Sequence, residues 1–292
     1  MSNMAWHEII APMLEQRETK PRSCGVNMIL DTGLGMRTTE DILEISGHLI
    51  DHWKMGFGTS VFVSADLIRK KNKLLAEHGV LTYPGGTLLE VALLEHHCRD
   101  YMHSAKDLGF QAVEISDGTI PLPAHRRELV ILCAKSAGLK VISEVGKKDP
   151  KNQPTAIQLA EQALQDFEWD ADWVIVEGRE SGISIGIYDE LGNVKPSALA
   201  IIQSITQQYA DRLIWEAPLK KQQTYLIEEI GANVSMGNLK PEQILAVEAL
   251  RNGLRFETLH TISERLISHG DWNPDQIEQP EQVLTAIQKK LP

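Results

Sequence analysis

Residues 140–148 read KVISEVGKK: an apolar run that ends in a carboxylate, a glycine and two ammonium groups. A run this apolar reads as a strand buried on both faces, the kind found in parallel sheets. The charge at its exit then stands at the rim of the sheet, facing whatever binds there. The same pattern recurs outward along the chain, at VNMILDTG (26–33), HWKMGFGTS (52–60), AVEISDG (112–118), WVIVEGRESG (173–182) and LIWEAPLK (213–220). Glu114, Glu144, Glu177 and Glu216 lie at or next to strand ends, and Asp31 closes the first strand. Carboxylates that converge on one rim repel each other unless a cation or a proton intervenes. The pattern predicts a metal, basic side chains, or both.

Strand candidates are 26–31, 51–56, 80–83, 111–116, 139–145, 172–177, 212–216 and 232–236. Helical candidates alternate with them at 39–50, 64–78, 87–108, 124–137, 154–168, 196–210, 221–230 and 241–253. Thr38 and Thr39 ahead of Glu40 and Asp41 signal a capped helix start. Gly79, Gly109, Gly138 and Gly231 follow helical runs, where a glycine cap is expected. Pro196 and Pro241 stand at helix starts. This alternation predicts an α/β protein with a parallel sheet, closed as a (β/α)8 TIM barrel.

The expected organisation is an N-terminal arm at 1–22, a catalytic barrel at 23–260 and a C-terminal helical extension at 261–292. The arm carries one short helix around Trp6 to Gln16. The extension carries two helices, ISERLISHG and PEQVLTAIQKKL, and serves packing or oligomerisation rather than chemistry.

The chain has 292 residues, 42% hydrophobic and 24% charged, with a formal net charge of −11. That composition is ordinary for a soluble protein. The acidic balance disfavours nucleic acid, which needs a basic face. No apolar stretch reaches membrane-spanning length and no cleavable leader is visible, so no membrane association is expected. Cys24, Cys98 and Cys133 have no metal-type spacing, and the expected location is a reducing cytoplasm.

Each charged exit has a functional and a bland reading. Lys54, followed by Gly56, Gly58, Thr59 and Ser60, suits an anion; the alternative is a tight turn with a surface lysine. Gly85 and Gly86 open a helix in anion-cradle fashion, or simply precede an N-cap at Thr87. Glu144 with Lys147 and Lys148 supplies a metal ligand and a proton donor, with one lysine of the pair left to solvent. Arg179, between Glu177 and Glu180, offers a planar fork for an oxyanion or forms an ion-pair staple. Asn238 follows the last strand, where many barrels hold phosphate. Arg251 and Arg255 complete such a site or pair with Glu248 and Glu257. The helical histidines His96, His97 and His103 are read as surface or packing residues.

Taken in order, ILDTGL, IDHWKMGFGTS, YPGGTLLE, GFQAVEISDGTI, ISEVGKKD, VIVEGRESG, IWEAPLKKQQ and LRNGLR resemble the phosphosulfolactate synthase family, which includes plant heat-stress-associated relatives. The resemblance covers residues 25–258. It implies a magnesium-dependent (Mg2+) lyase that adds sulfite to phosphoenolpyruvate, giving (2R)-phospho-3-sulfolactate on the way to coenzyme M or another sulfonate. By motif, it makes Lys148 the general acid and gives Glu114, Glu144 and Glu177 the magnesium environment, with Glu216 and Asp31 as further candidates. Lys54, Arg179, Lys220, Asn238, Gly85 and Gly86 become candidates for binding small anionic substrates, with Glu144 and Arg179 also in catalytic roles. It further implies a homo-oligomer, a trimer among the options. Thr32 stands where some archaeal relatives carry Lys, and Phe57 replaces a usual Trp, so the pocket differs in detail. Two other readings are a Schiff-base aldolase using Lys54 or Lys148 and a catalytically silent, anion-binding stress protein.

Overall fold

In the computed structural model, which describes Trp6 and residues 17–275, eight parallel strands form one sheet in the order β3-β2-β1-β8-β7-β6-β5-β4. The strands are β1 (Asn27–Asp31), β2 (His52–Met55), β3 (Leu81–Pro84), β4 (Ala112–Ile115), β5 (Lys140–Val145), β6 (Trp173–Val176), β7 (Leu213–Glu216) and β8 (Met236–Leu239). The remaining seam lies between β3 and β4, where the Gln111 N–H donates to the Thr82 carbonyl at 3.1 Å. The sheet is therefore a nearly closed barrel, as the alternation predicted.

Ten α-helices accompany the strands among the described residues: α1 (Met36–Ser46), α2 (Ala65–Glu77), α3 (Gly86–Leu94), α4 (Cys98–Asp107), α5 (Ala124–Ser136), α6 (Ala156–Glu168), α7 (Pro196–Ile205), α8 (Lys220–Ile230), α9 (Ile244–Arg251) and α10 (Phe256–His269). Gly79, Gly109 and Gly138 close α2, α4 and α5 at φ 65°, 82° and 74°. That left-handed turn sends the chain straight back into the next strand.

Side chains alternate across each strand and thus separate two cores. Outward-facing Ile29, Trp53, Val113, Val141, Val174 and Trp215 join the helices in one large cluster. Inward-facing Met28, Tyr83, Ala112, Ile142, Ile175 and Ile214 fill the barrel itself. Large side chains buried this way stabilise the fold by about 1.5–3 kcal/mol each. The inner core also fixes the site. Two residues beyond Ala112, Ile142, Ile175 and Ile214, the same face carries Glu114, Glu144, Glu177 and Glu216, all almost wholly buried.

Several boundaries differ from expectation. The predicted helix 87–108 is two helices, α3 and α4, broken at His96 with φ 62°. The His97 N–H returns to the Ala92 carbonyl at 2.8 Å, a terminating turn that a left-handed residue permits. Helix α1 starts at Met36 with Gly35 at its N-cap, so Thr38 and Thr39 lie inside the first turns. Strand β8 begins at Met236 rather than at 232, because the Arg251 guanidinium takes the carbonyls of Ala232 and Val234 at 2.7 and 2.6 Å. Asn238 therefore lies within β8 and not after it.

The end of the arm is tied to the N-terminal face of the barrel. Arg17 pairs with Glu248 at 2.9 Å, and Arg22 pairs with Asp51 at 3.0 Å. ISERLISH lies in α10, which begins at Phe256, ahead of the expected boundary at 261, and is capped by Gly270. The expected helix of the arm, apart from Trp6, and PEQVLTAIQKKL lie outside the described residues. No helix among the described residues is long and apolar enough to cross a membrane.

Candidate active site

The C-terminal ends of the strands surround a cavity of about 300 Å³. Lys54 from β2 rises through its floor. The Lys54 Nζ lies 2.9 Å from Glu114 Oε2, 2.9 Å from Glu216 Oε1 and 3.4 Å from Glu144 Oε2. Lys148, in the loop after β5, reaches over the same group. Its Nζ stands 3.5 Å from Glu144 Oε1, 3.7 Å from Glu177 Oε2 and 3.4 Å from Thr87 Oγ1.

Backbone amides hold the carboxylates from the other side. The Gly86 N–H, at the start of α3, donates to Glu114 Oε1 at 2.6 Å. The Gly178 and Arg179 N–H groups donate to Glu216 Oε2 at 2.9 and 3.0 Å, and Arg179 N–H also meets Glu177 Oε1 at 2.7 Å. Arg179 adopts φ 57° to make both bonds. A left-handed non-glycine residue is uncommon, and here the strain serves carboxylate binding. Its guanidinium stays at the rim, 3.3 Å from the Lys148 carbonyl and 3.6 Å from Glu180 Oε1.

Burial and charge divide the carboxylates. Burial pushes Glu177 well above the usual carboxylate range, and repulsion from Glu144 and Glu216 adds to it. Burial likewise raises Glu114, against the pull of Lys54, to about 7. Glu144 goes the other way. Burial opposes its ionisation, but Lys148 and Lys54 together outweigh it. Both lysines stay charged. Burial alone would lower Lys54, yet its three carboxylates raise it well above the ordinary value. Lys148 is raised chiefly by Glu144.

The cluster suits a cation. One oxygen from each of Glu144, Glu177 and Glu216 lies within 4.8 Å of the others. Among the described residues, no hydrogen bond reaches the buried Glu144 Oε1 or Glu177 Oε2. An oxygen-only, carboxylate-rich set of this kind fits a hard divalent ion.

Of the residues singled out from sequence, Lys54, Glu114, Glu144, Lys148, Glu177, Arg179 and Glu216 line this one cavity, together with Gly85, Gly86 and Asn238. Among the described residues, the buried Asn238 Oδ1 has no hydrogen-bond partner. Gly85, not Thr87, is the N-cap of α3. Asp31 and Lys220 stand apart. Asp31 accepts from the N–H groups of Gly33 and Leu34 at 2.8 and 2.7 Å and from Trp53 Nε1 at 2.8 Å, and it pairs with buried Lys71. All of this lies on the outward side of β1, because Asp31 is one residue out of step with inward-facing Leu30. Lys220 is half exposed and pairs with Glu257. Arg251 serves the opposite face of the barrel, where it also bonds Asn27 Oδ1 at 2.9 Å. Arg255 stands 3.9 Å from Glu257.

Sequence reasoning missed the supports behind the rim. Buried Arg127 makes a two-point pair with Asp166 and donates to the Glu144 carbonyl at 2.9 Å. Its place on one face of α5 with Val130, Ile131 and Ala134 was a readable signal: a charge at core-facing helical spacing. Buried Glu90 and Lys71 had the same signature.

A TIM barrel with buried carboxylates and ammonium groups gathered on its C-terminal face is of the enzyme class. The family model of (2R)-phospho-3-sulfolactate synthase (ComA) matches residues 15–257. A phosphosulfolactate synthase of Methanothermobacter thermautotrophicus is 39% identical over 253 residues, covering 85% of this chain and 96% of that protein. The chain belongs to the phosphosulfolactate synthase family of lyases. The protein HEAT-STRESS-ASSOCIATED 32 of Arabidopsis thaliana is 23% identical over 261 residues, with 81% and 89% of the two chains covered. The 3-hexulose-6-phosphate synthase of Salmonella typhimurium matches at a TM-score of 0.50 and 14% identity, over 84% of this chain and 99% of that one. That last likeness concerns the fold alone.

Proposed function

We propose that the protein adds sulfite to phosphoenolpyruvate with the help of magnesium, giving (2R)-phospho-3-sulfolactate. The observation that carries this reading is the position of Lys148. Its charged ammonium overhangs buried carboxylates inside a small cavity, where a proton donor and a cation site adjoin.

In this reaction the sulfur lone pair forms a bond to the methylene carbon. The carbon–carbon π electrons move towards the carboxylate, which becomes an enolate-like dianion. The Lys148 ammonium then gives its proton to the carbon beside that carboxylate and recovers one from solvent. Glu144, Glu177 and Glu216 would hold the magnesium, which supplies Lewis-acid stabilisation of the growing charge when bound. Arg179 presents a fixed fork at the rim for an oxyanion. Lys54 is already engaged with three carboxylates, so its part is to hold them together. Asn238 lines the same cavity, and its amide NH2 can donate to a substrate oxyanion.

A Schiff-base mechanism needs a neutral lysine. Lys54 and Lys148 are both held in the charged form by their carboxylate neighbours, which counts against an aldolase. The deciding experiment follows sulfite-dependent loss of phosphoenolpyruvate and appearance of phosphosulfolactate, after chelation and after magnesium is restored. Activity should vanish with chelation and return with the metal. Full turnover after rigorous chelation, or none with magnesium in excess, rejects the proposal.

A further inference from the structure

Two adjacent lysines leave β5, and only one enters the cavity. Lys147 turns away: its Nζ donates to the Asp117 carbonyl at 2.7 Å and pairs with the Asp117 carboxylate. Lys148 turns inward onto Glu144 and Glu177. Nothing in the local sequence KK distinguishes the two. The distinction comes from the loop between β4 and α5.

We propose that Asp117 and Gly118 are positioning residues that select Lys148, and exclude Lys147, as the ammonium presented to substrate. The inference rests on the reading of Lys148 as proton donor. Asp117 takes Lys147 out of contention. Gly118 seats Lys148 in two ways. Its carbonyl accepts the Lys148 N–H at 2.9 Å, and its Cα lies against the lysine stem. A Cβ added at Gly118 would come within 3.1 Å of the Lys148 Cγ and 3.2 Å of Cδ and Cε. A side chain here would push the stem aside by a few tenths of an ångström.

The loop is built to hold this position. Buried Glu90, on α3, accepts from Ser116 Oγ at 2.7 Å and from the N–H groups of Thr119 and Ile120 at 3.0 and 2.9 Å. Arg127 holds the other Asp117 oxygen at 3.1 Å. The far side of the lysine pair is anchored as well, because Gln153 Nε2 donates to the Lys147 carbonyl at 2.6 Å. Proton delivery to carbon depends on placement, and a misplacement of about 1 Å costs on the order of 100-fold in rate.

The test uses the full-length protein and three variants: Gly118→Ala, Asp117→Asn and Asp117→Asn/Lys147→Ala. Gly118 does not occupy the left-handed region, so its replacement by Ala probes the contact with the stem and not backbone strain. Two readouts run in parallel: steady-state kinetics with phosphoenolpyruvate and sulfite, and amine acylation rates of Lys147 and Lys148 by mass spectrometry. Gly118→Ala should lower kcat by about 3- to 10-fold, leave the KM for phosphoenolpyruvate within about twofold, and change Lys148 acylation. Asp117→Asn should speed Lys147 acylation and lower kcat, and removal of the freed Lys147 should restore part of the loss. Wild-type kcat and an unchanged acylation pattern in Gly118→Ala and Asp117→Asn overturn the inference. So does a loss of thermal stability alone, which is what a purely structural loop predicts. If acylation shifts as expected while Lys148→Ala remains active, the proton-donor reading fails and the positioning stands.

Discussion

Lys54 Nζ and Glu216 Oε1 meet at 2.9 Å across the barrel, with side chains only 7% and 1% exposed. The same ammonium holds Glu114 and Glu144. One cation from β2 thus ties together carboxylates from β4, β5 and β7. Removing one partner of a buried pair leaves charge uncompensated, which costs far more than the pair itself contributes. Lys54→Met should therefore destabilise the protein by about 3–5 kcal/mol near neutral pH. Without Lys54, the folded-state pKa values of Glu114 and Glu144 rise, because Lys54 lowers both. The unfolded chain then ionises first, and stability falls as pH increases above the ordinary carboxylate range. Urea unfolding of both proteins at pH 5 and pH 8 checks this. An equal loss at both pH values contradicts it.

Lys148→Ala should lower kcat by roughly two to four orders of magnitude while weakening phosphoenolpyruvate binding much less. Lys147, held by Asp117, should tolerate the same change with kcat within about threefold. The reverse pattern in a side-by-side kinetic comparison assigns the proton to the wrong lysine.

Arg179→Lys should keep the fold, because the guanidinium's rim contacts are a 3.3 Å bond to the Lys148 carbonyl and a 3.6 Å pair with exposed Glu180, and exposed pairs contribute little. The left-handed backbone that serves Glu177 and Glu216 is available to Lys as well as to Arg. The loss should appear in binding of the anionic substrate, at about 1.5–3 kcal/mol for a charge-assisted contact. A lowered melting temperature with an unchanged KM would return Arg179 to a structural role.

His52 lies wholly buried in the lower barrel, edge-on to Tyr83 and Trp173. Burial, aided by Lys140 and Lys20, pushes its pKa down to about 3. The unfolded chain binds this proton near pH 6.5. The stabilising contribution is complete above that pH and is lost as pH falls towards about 3, at close to 1.4 kcal/mol per pH unit. His52→Phe keeps a ring between the two aromatics and removes the proton site. Its stability should fall less steeply between pH 6.5 and 4 than that of the unchanged protein. Parallel curves over that range exclude the effect.

Much of the rim was legible because a barrel strand writes its own signal. EIS, SEV and VEG each place a glutamate at the end of an apolar run, and every such glutamate reached the cavity. The boundary errors arose where distant groups intervened. The helix broken at His96 ends on its own backbone, which composition does not reveal. The late start of β8 depends on Arg251, which claims carbonyls that a longer strand would have used.

From the sequence alone came the elements, their alternation and the family, because apolar runs, glycine caps and exit charges are local properties. Only the tertiary structure decided which charges meet. Asp31 and Glu216 both end strands, yet one faces the helices and the other the cavity. A strand buried on both faces carries no local mark of which side is inward, and a shift of one residue reverses every side chain. Likewise, Lys147 and Lys148 are chemically identical neighbours. The choice between them lies with Asp117 and Gly118, about 30 residues earlier in the chain, and becomes visible only once β4 and β5 stand side by side.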